Sequence, residues 1–382
     1  MRRAAVVVLD ACGVGALPDA ADYGDAGANT LAHLAEQAGG LHLPTLQRLG
    51  LGSILPLEGV PPAASPVVHG RLRPLGPGKE SVTGHWELMG VVPERPLPTY
   101  PGGFPPEIID PLERATRLRF CCNRPYSGTE VLDAYGPHHL ETGEPILYTS
   151  ADSVMQIATH IDRMSEPELY AVCEAARALM IGPNAVGRVI ARPFEGEPGA
   201  FHRREGRHDY SLKPPSRSYL EELQAADAPV HAVGKINDLF AGVGIDAHHP
   251  ASTNEKGTAV TTELLRELDT GLVFVNLVET DQVYGHRHDV EGFHRALQAI
   301  DAAVADWLTL LRDDDLLILT ADHGVDPTAS HTDHTREYAP LLAVFNESGG
   351  RRHDGLLADV GASVLEWVAG RSAPALPGDS FV

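Results

Sequence analysis

Apolar residues fall into two recurring patterns along this 382-residue chain. Short, almost wholly apolar runs end in polar clusters: Val6–Leu9 before Asp10, Leu272–Val278 before Glu279-Thr280-Asp281, and Leu316–Leu319 before Thr320-Ala321-Asp322-His323-Gly324. Runs of this length and texture predict strands buried on both faces, as in a parallel sheet. The second pattern has helical spacing. Val290, Phe293, Leu297, Ile300, Val304, Trp307, Leu308 and Leu311 predict one long amphipathic helix whose stripe is core. Further helices are expected over 29–37, with Asn29 as N-cap and Gly39-Gly40 as the stop, and from about Pro44. Others are expected over 216–226, 256–268 (weakened by Gly257) and 356–368. Strands are expected over 230–234 and 340–345. Strand–helix alternation of this kind defines an α/β sheet core.

The texture changes between about Pro98 and Pro215. Pro98, Pro101, Gly102, Gly103, Pro105 and Pro106 mark one boundary, and Pro214-Pro215 marks the other. Inside it, Ser165 and Glu168 form a capping box for a helix over 165–180, and strands are expected over 146–149 and 188–194. The expected organisation is a core domain (1–98), an inserted cap domain (99–215) and a second part of the core domain (216–382).

Charge and cysteines narrow the function. With 30 basic against 52 acidic residues, the net charge of −22 disfavours nucleic acid and anionic membranes as partners. Arg2-Arg3 followed by Ala4–Leu9 resembles a signal peptide. The apolar stretch is too short, and Asp10 stands where a small-residue cleavage site would, so the segment is expected to be a strand and the protein cytoplasmic. No apolar run approaches the ~20 residues of a membrane span. Four cysteines without a paired Cys-x-x-Cys motif are expected to be reduced thiols, not a disulfide framework or a zinc site.

The chemistry is expected where the strands end. Asp10, Asp281 and Asp322 each follow an apolar run, and His286, His323 and His334 lie close to the last two in sequence. One strand-end carboxylate is often a cap. Three of them gathered with imidazoles would be costly unless a cation neutralised them. Oxygen and imidazole donors without thiolate fit Mn²⁺, Mg²⁺ or Zn²⁺. Two such ions clamp a phosphoryl group and activate a coordinated hydroxyl, so phosphoryl transfer is the expected reaction class. The hydroxyl is expected from Lys79-Glu80-Ser81-Val82-Thr83, a loop running into a helix start, although these residues taken alone favour Ser81 or Thr83 as an ordinary cap. His33, His42, His248, His249 and His294 have no acidic strand end adjacent and are read as surface or satisfied core residues. His85 and His288 sit beside candidate motifs.

These residues resemble the phosphopentomutase family of the alkaline phosphatase superfamily, over essentially the whole chain. Asp322-His323-Gly324 marks the superfamily. The stretches 19–30, 83–87, 148–154, 187–194, 207–210 and 332–338 carry the resemblance, and the runs 148–153 and 187–192 narrow it to the pentose enzyme. The resemblance implies an alkaline-phosphatase-like sheet core with helices on both faces and a smaller inserted α/β cap. It implies interconversion of α-D-ribose 1-phosphate and ribose 5-phosphate, and of the 2-deoxyribose pair, in nucleoside catabolism, with a sugar bisphosphate as priming activator. It also implies two Mn²⁺ ions, one held by Asp281, His286 and His334, the other by Asp10, Asp322 and His323. Asp152, Arg188, Arg203 and Lys235 would line the substrate side, and the enzyme would be a monomer. Family members read Lys-Asp-Thr-x-Thr where this chain reads Lys79-Glu80-Ser81-Val82-Thr83, so Ser81 takes the place of the phosphorylated threonine and would bridge the ions. The alternatives are a cofactor-independent phosphoglycerate mutase or phosphatase of the same superfamily and, more remotely, a non-catalytic sugar-phosphate sensor.

Overall fold

The computed structural model describes every residue except Met1, Thr129, Ala151, Glu347 and Ser348. Ala151 of the 148–154 stretch therefore lies outside the described residues. The chain divides into two compact units, one of Met1–Arg95 with Pro214–Val382, the other of Pro96–Lys213.

The first unit is built on an eight-stranded sheet. Its order is Ala247–His249, Val230–Val233, Gly271–Leu277, Arg3–Leu9, Asp315–Thr320, Ala339–Val344, Val68–Arg73 and Gly355–Leu356, with helices on both sides. The first five strands run parallel, and Ala339–Val344 runs antiparallel to both its neighbours. The three apolar runs thus occupy adjacent central places and are wholly buried, which is why they carry no polar alternation. Their register decides the site. Leu9 lies opposite Leu277 and Val8 opposite Thr320, so all three strands finish level and deliver Asp10, Asp281 and Asp322 to one edge of the sheet.

At the other end of these strands the expectation for the amino terminus meets an unexpected partner. Arg3 opens the first strand, in register with Asp315, and the two form a buried ion pair with side chains 2% and 1% exposed. The guanidinium also donates to the carbonyls of Leu265 and Leu268. Among the described residues no helix is long and apolar enough to cross a membrane.

The helices follow their local chemistry. Val290–Leu310 is capped by Asp289, whose carboxylate accepts from the Gly292 amide at 2.9 Å. Thr30–Ala38 stops at Gly39 in a left-handed conformation, φ 69°.

The inserted unit carries its own mixed sheet: Cys121–Pro125, Ile146–Thr149, Val154–His160, Arg188–Glu195 and His202–Arg203, with His208–Ser211 paired to Arg188–Glu195. Alternate residues feed two cores. Leu147, Met155, Ile157 and Val189 pack with Leu169 and Cys173 of the helix Glu166–Leu179. Ile146, Tyr148 and Ala158 pack with Val131 and Leu132 of the helix Glu130–Thr142. That second helix escapes a sequence reading because Gly136 and Pro137 sit inside it. The glycine has a packing reason: a Cβ there would come within 2.5 Å of the Phe201 ring. All four cysteines are free thiols.

His139 makes this unit acid-sensitive. It is buried, with Nδ1 2.8 Å from the Glu144 carbonyl and Nε2 accepting from the His160 amide at 2.8 Å, which requires the neutral ring. Burial, the largest influence, holds its pKa below the ordinary 6.5. A lowered folded pKa means that the unfolded chain takes up the proton first. Stability is therefore full above about pH 6.5 and falls as pH drops towards the folded value. We expect the midpoint of urea unfolding of this unit to fall over that window, and the fall to be blunted in His139→Gln.

Candidate active site

Asp10, one residue beyond the first strand, is 1% exposed. Its Oδ1 lies 3.4 Å from His323 Nε2, and its Oδ2 accepts from Asn276 Nδ2 at 3.0 Å. Asp322 Oδ2 is 3.2 Å from the same His323 nitrogen and 3.1 Å from His85 Nδ1. Asp281 sits in a π-helical turn, Thr280–Tyr284, directly after its strand. Its Oδ1 is 3.4 Å from both His286 Nε2 and His334 Nε2. The rings of His323 and His334 stack with centroids 3.9 Å apart, joining the two groups.

Ser81 is the first residue of the helix Ser81–Leu88, and its Oγ is 3.0 Å from His323 Nε2. Thr83 is turned away: its hydroxyl donates to the Glu80 carbonyl at 3.1 Å, and the residue is 1% exposed. The helix approaches so closely because Gly84 faces the end of the third strand. A Cβ on Gly84 would stand 2.5 Å from the Asp322 carbonyl oxygen and 2.9 Å from its Cβ. Neither atom can yield without moving the ligand strand. Gly84→Ala is therefore expected to cut turnover by about 10²-fold while leaving the protein folded, as judged by circular dichroism.

The electrostatics define what is needed here. Burial, then the charges of Asp322 and Asp281, push Asp10 up to about 7. Burial would lower His323, but the carboxylates of Asp322 and Asp10 outweigh it and push it up to about 10. Asp322 is held far below the carboxylate range because His323 and His85 outweigh its burial. Asp10 Oδ1, Asp281 Oδ1, Asp322 Oδ2 and His334 Nε2 are buried and have no hydrogen-bond partner among the described residues. Orphaned carboxylate oxygens and an imidazole nitrogen, converging without thiolate, fit hard or borderline divalent ions. One set of mutually close donors is Asp281, His286 and His334, and another is Asp10, Asp281 and His323. Asp281 is common to both, a sharing not foreseen from the resemblance, which gave the second set as Asp10, Asp322 and His323.

Behind the donors stand residues that sequence reasoning left without a role. His85 is fully buried between the Ser81 carbonyl, 2.8 Å from Nδ1, and Asn276 Nδ2, 3.2 Å from Nε2. Asn276 is the single amide in the apolar run Leu272–Val278, a signal legible in hindsight. Asp25 ties three loops together, meeting Lys79 Nζ at 3.1 Å, His331 Nε2 at 3.0 Å and the Arg336 amide at 2.9 Å. The buried Glu337 carboxylate accepts from the Gly15 and Thr30 amides and from the Thr30 and Thr335 hydroxyls, fixing the start of the helix Thr30–Ala38. His288 ends a short helical turn, and its Nε2 lies 3.0 Å from the His331 carbonyl oxygen.

The residues expected on the substrate side are divided between the units. Asp152, Arg188 and Arg203 line one cavity of about 240 Å³ in the inserted unit, together with Arg192, Arg207 and Gln156. Lys235 belongs to the other unit, at the start of the short helix Ile236–Leu239, where its charge lowers the pKa of Asp10.

A sheet edge gathering carboxylates and imidazoles around a hydroxyl defines a metal-dependent enzyme. In keeping with this, the family described as "Metalloenzyme superfamily" matches residues 2–369. A solved structure, the PH0037 protein from Pyrococcus horikoshii, shares the fold with a TM-score of 0.50 at 14% identity, covering 97% of this chain and 98% of that one. Closer relatives are proteins named phosphopentomutase. That of Caldanaerobacter subterraneus subsp. tengcongensis is 47% identical, covering 96% of this chain and 94% of its own. That of Desulfitobacterium hafniense is 45% identical, covering 96% of each. The chain belongs to the phosphopentomutase family.

Proposed function

We infer that this protein is a phosphopentomutase, an isomerase that moves a phosphoryl group between the 1- and 5-positions of ribose and 2-deoxyribose. The observation that carries the mechanism is the Ser81 hydroxyl 3.0 Å from His323 Nε2, beside carboxylate oxygens that have no hydrogen-bond partner among the described residues. Asp281, His286 and His334 would hold one divalent ion, and Asp10, Asp322 and His323 the other with Asp281 shared between them, Mn²⁺ being the proposed metal and Mg²⁺ or Zn²⁺ able to use the same donors. When bound, the ions supply positive charge to the transferring phosphoryl oxygens and lower the pKa of the serine hydroxyl.

In the working cycle, Ser81 begins phosphorylated, primed by a sugar bisphosphate. A hydroxyl of the incoming pentose phosphate takes the phosphoryl group as the Ser81 Oγ–P bond breaks, giving a 1,5-bisphosphate. That intermediate turns round and returns its other phosphate to Ser81. Ser81 at a helix start places the phosphate next to free backbone amides. His85 and Asn276 hold Asp322 and Asp10 in place, so the carboxylates need not reorganise during transfer. Arg188 and Arg203 bind phosphate, Asp152 accepts from a sugar hydroxyl, and Lys235 adds charge on the metal side.

The test is an assay of Mn²⁺-loaded protein with ribose 1-phosphate and with 3-phosphoglycerate, followed by phosphopeptide mapping. Turnover of the pentose alone, with phosphate on Ser81, is expected. Full mutase activity in Ser81→Ala, or phosphate found on Thr83, would discard the nucleophile assignment.

A further inference from the structure

The cavity of the inserted unit holds more positive charge than a single phosphate needs, and the structure disposes of the surplus in a specific way. Arg188, Ile190 and Arg192 alternate along the strand Arg188–Glu195 and so share a face. Asp209, on the strand His208–Ser211, lies directly opposite Ile190 and therefore on that same face. Both of its carboxylate oxygens accept from the Arg207 guanidinium, at 2.7 and 2.6 Å, and Oδ2 stands 3.6 Å from Arg188 Nη1. The other two guanidiniums differ. Arg192 is held by Gln156, Nε to Oε1 at 2.9 Å, a neutral partner. Among the described residues neither Arg192 nor Arg203 has a carboxylate in ion-pair reach, and the fully buried hydroxyl of Tyr148 lies beside both.

Four guanidiniums against Asp152 and Asp209 leave two positive charges in the cavity, matching a phosphate monoester dianion. We propose that Asp209 is a specificity-determining internal anion: it engages Arg188 and Arg207 in competition with the ligand, leaving Arg192, Arg203 and the Tyr148 hydroxyl as the tight anchor for one phosphate. The inference rests on the pentose phosphate reading above and explains a demand of that cycle. A bisphosphate that must turn round has to leave the cavity with one phosphate and re-enter with the other. Four free arginines would hold it too long, because bidentate guanidinium–phosphate pairs are among the strongest charge-assisted contacts. Asp209 can displace the phosphate from two of them without moving the backbone.

The proposal fixes a sign that a purely structural Asp209 would not. Steady-state kinetics of the Mn²⁺-loaded full chain with ribose 1-phosphate, and inhibition by inorganic phosphate, should show Asp209→Asn binding more tightly. KM and the phosphate inhibition constant should each fall about tenfold, with kcat falling as well because release slows. Asp209→Glu, which restores the anion, should return both towards the wild type. Arg192→Met should move the other way, raising KM and the inhibition constant about tenfold or more, with partial rescue in Arg192→Lys. An unchanged or raised KM in Asp209→Asn overturns the proposal, as does an unchanged KM in Arg192→Met. If Asp209→Asn and Asp209→Ser both fail to fold, the residue is a strut between strands and the proposal falls. Failure of the wild type to turn over ribose 1-phosphate would instead defeat the pentose reading, and calorimetry with inorganic phosphate would still report the sign.

Discussion

Asp281→Asn is expected to lose metal and mutase turnover together, by at least on the order of 10²–10³-fold in kcat/KM. Among the described residues Asp281 is the carboxylate common to both donor sets, with Oδ1 3.4 Å from His286 and from His334 and a place beside Asp10 and His323. Asparagine has the same shape, but it removes the anion and presents an amide to two imidazoles. Metal content by mass spectrometry should fall below that of the matched variant Asp10→Asn, which strips a donor from one set only. Equal metal loss in the two variants would show that Asp281 serves a single ion. Unchanged metal content in Asp281→Asn would remove it from the ligands altogether.

Arg3→Met is expected to be the most damaging change remote from the site, costing about 3–5 kcal/mol of stability. The methionine fills most of the volume but leaves Asp315, 1% exposed in its side chain, without its buried partner, and leaves the carbonyls of Leu265 and Leu268 short of a donor. Arg312 softens the loss, since its amide donates to Asp315 Oδ2 at 2.8 Å and its guanidinium stands 3.4 Å from Oδ1, which sets the expected cost towards the lower end of that range. The double change Arg3→Met with Asp315→Leu should recover part of the stability, because the uncompensated charge is what costs. Urea unfolding of the wild type and the two variants measures this directly. A loss under about 1 kcal/mol in the single variant would mean that water reaches the pair.

The central strands and the sheet class were legible because burial on both faces leaves an unmistakable run of apolar residues. The run Leu316–Leu319 became the strand Asp315–Thr320, paired parallel to the first strand as expected. Elements with polar or helix-breaking residues were not legible. Val154–His160 is wholly buried yet contains Gln156, Thr159 and His160; Gln156 accepts from Arg192 and the His160 amide donates to His139, both distant in the inserted unit. The sequence boundaries 99–215 for the insertion stand beside the observed unit Pro96–Lys213. At the candidate site, strand-end carboxylates and nearby histidines could be found because they follow apolar runs. Supports such as His85, Asn276 and Asp25 could not, since their role exists only once distant strands are in register. Arg3 stands in the strand expected there, but its partners, 262 and 312 positions away, could not be read from the sequence.

The place of the first strand has a consequence for synthesis. Its two neighbours in the sheet begin at Gly271 and Asp315, so a ribosome working at about 5–20 residues per second releases Val6–Leu9 roughly 10–50 s before either neighbour exists. During that interval the nascent chain carries a sticky apolar ribbon with both edges open, while the 118 residues from Pro96 to Lys213 can already collapse on their own core. Trigger-type chaperones that cover emerging apolar segments should therefore raise the yield of this protein more than that of one whose central strand is made last.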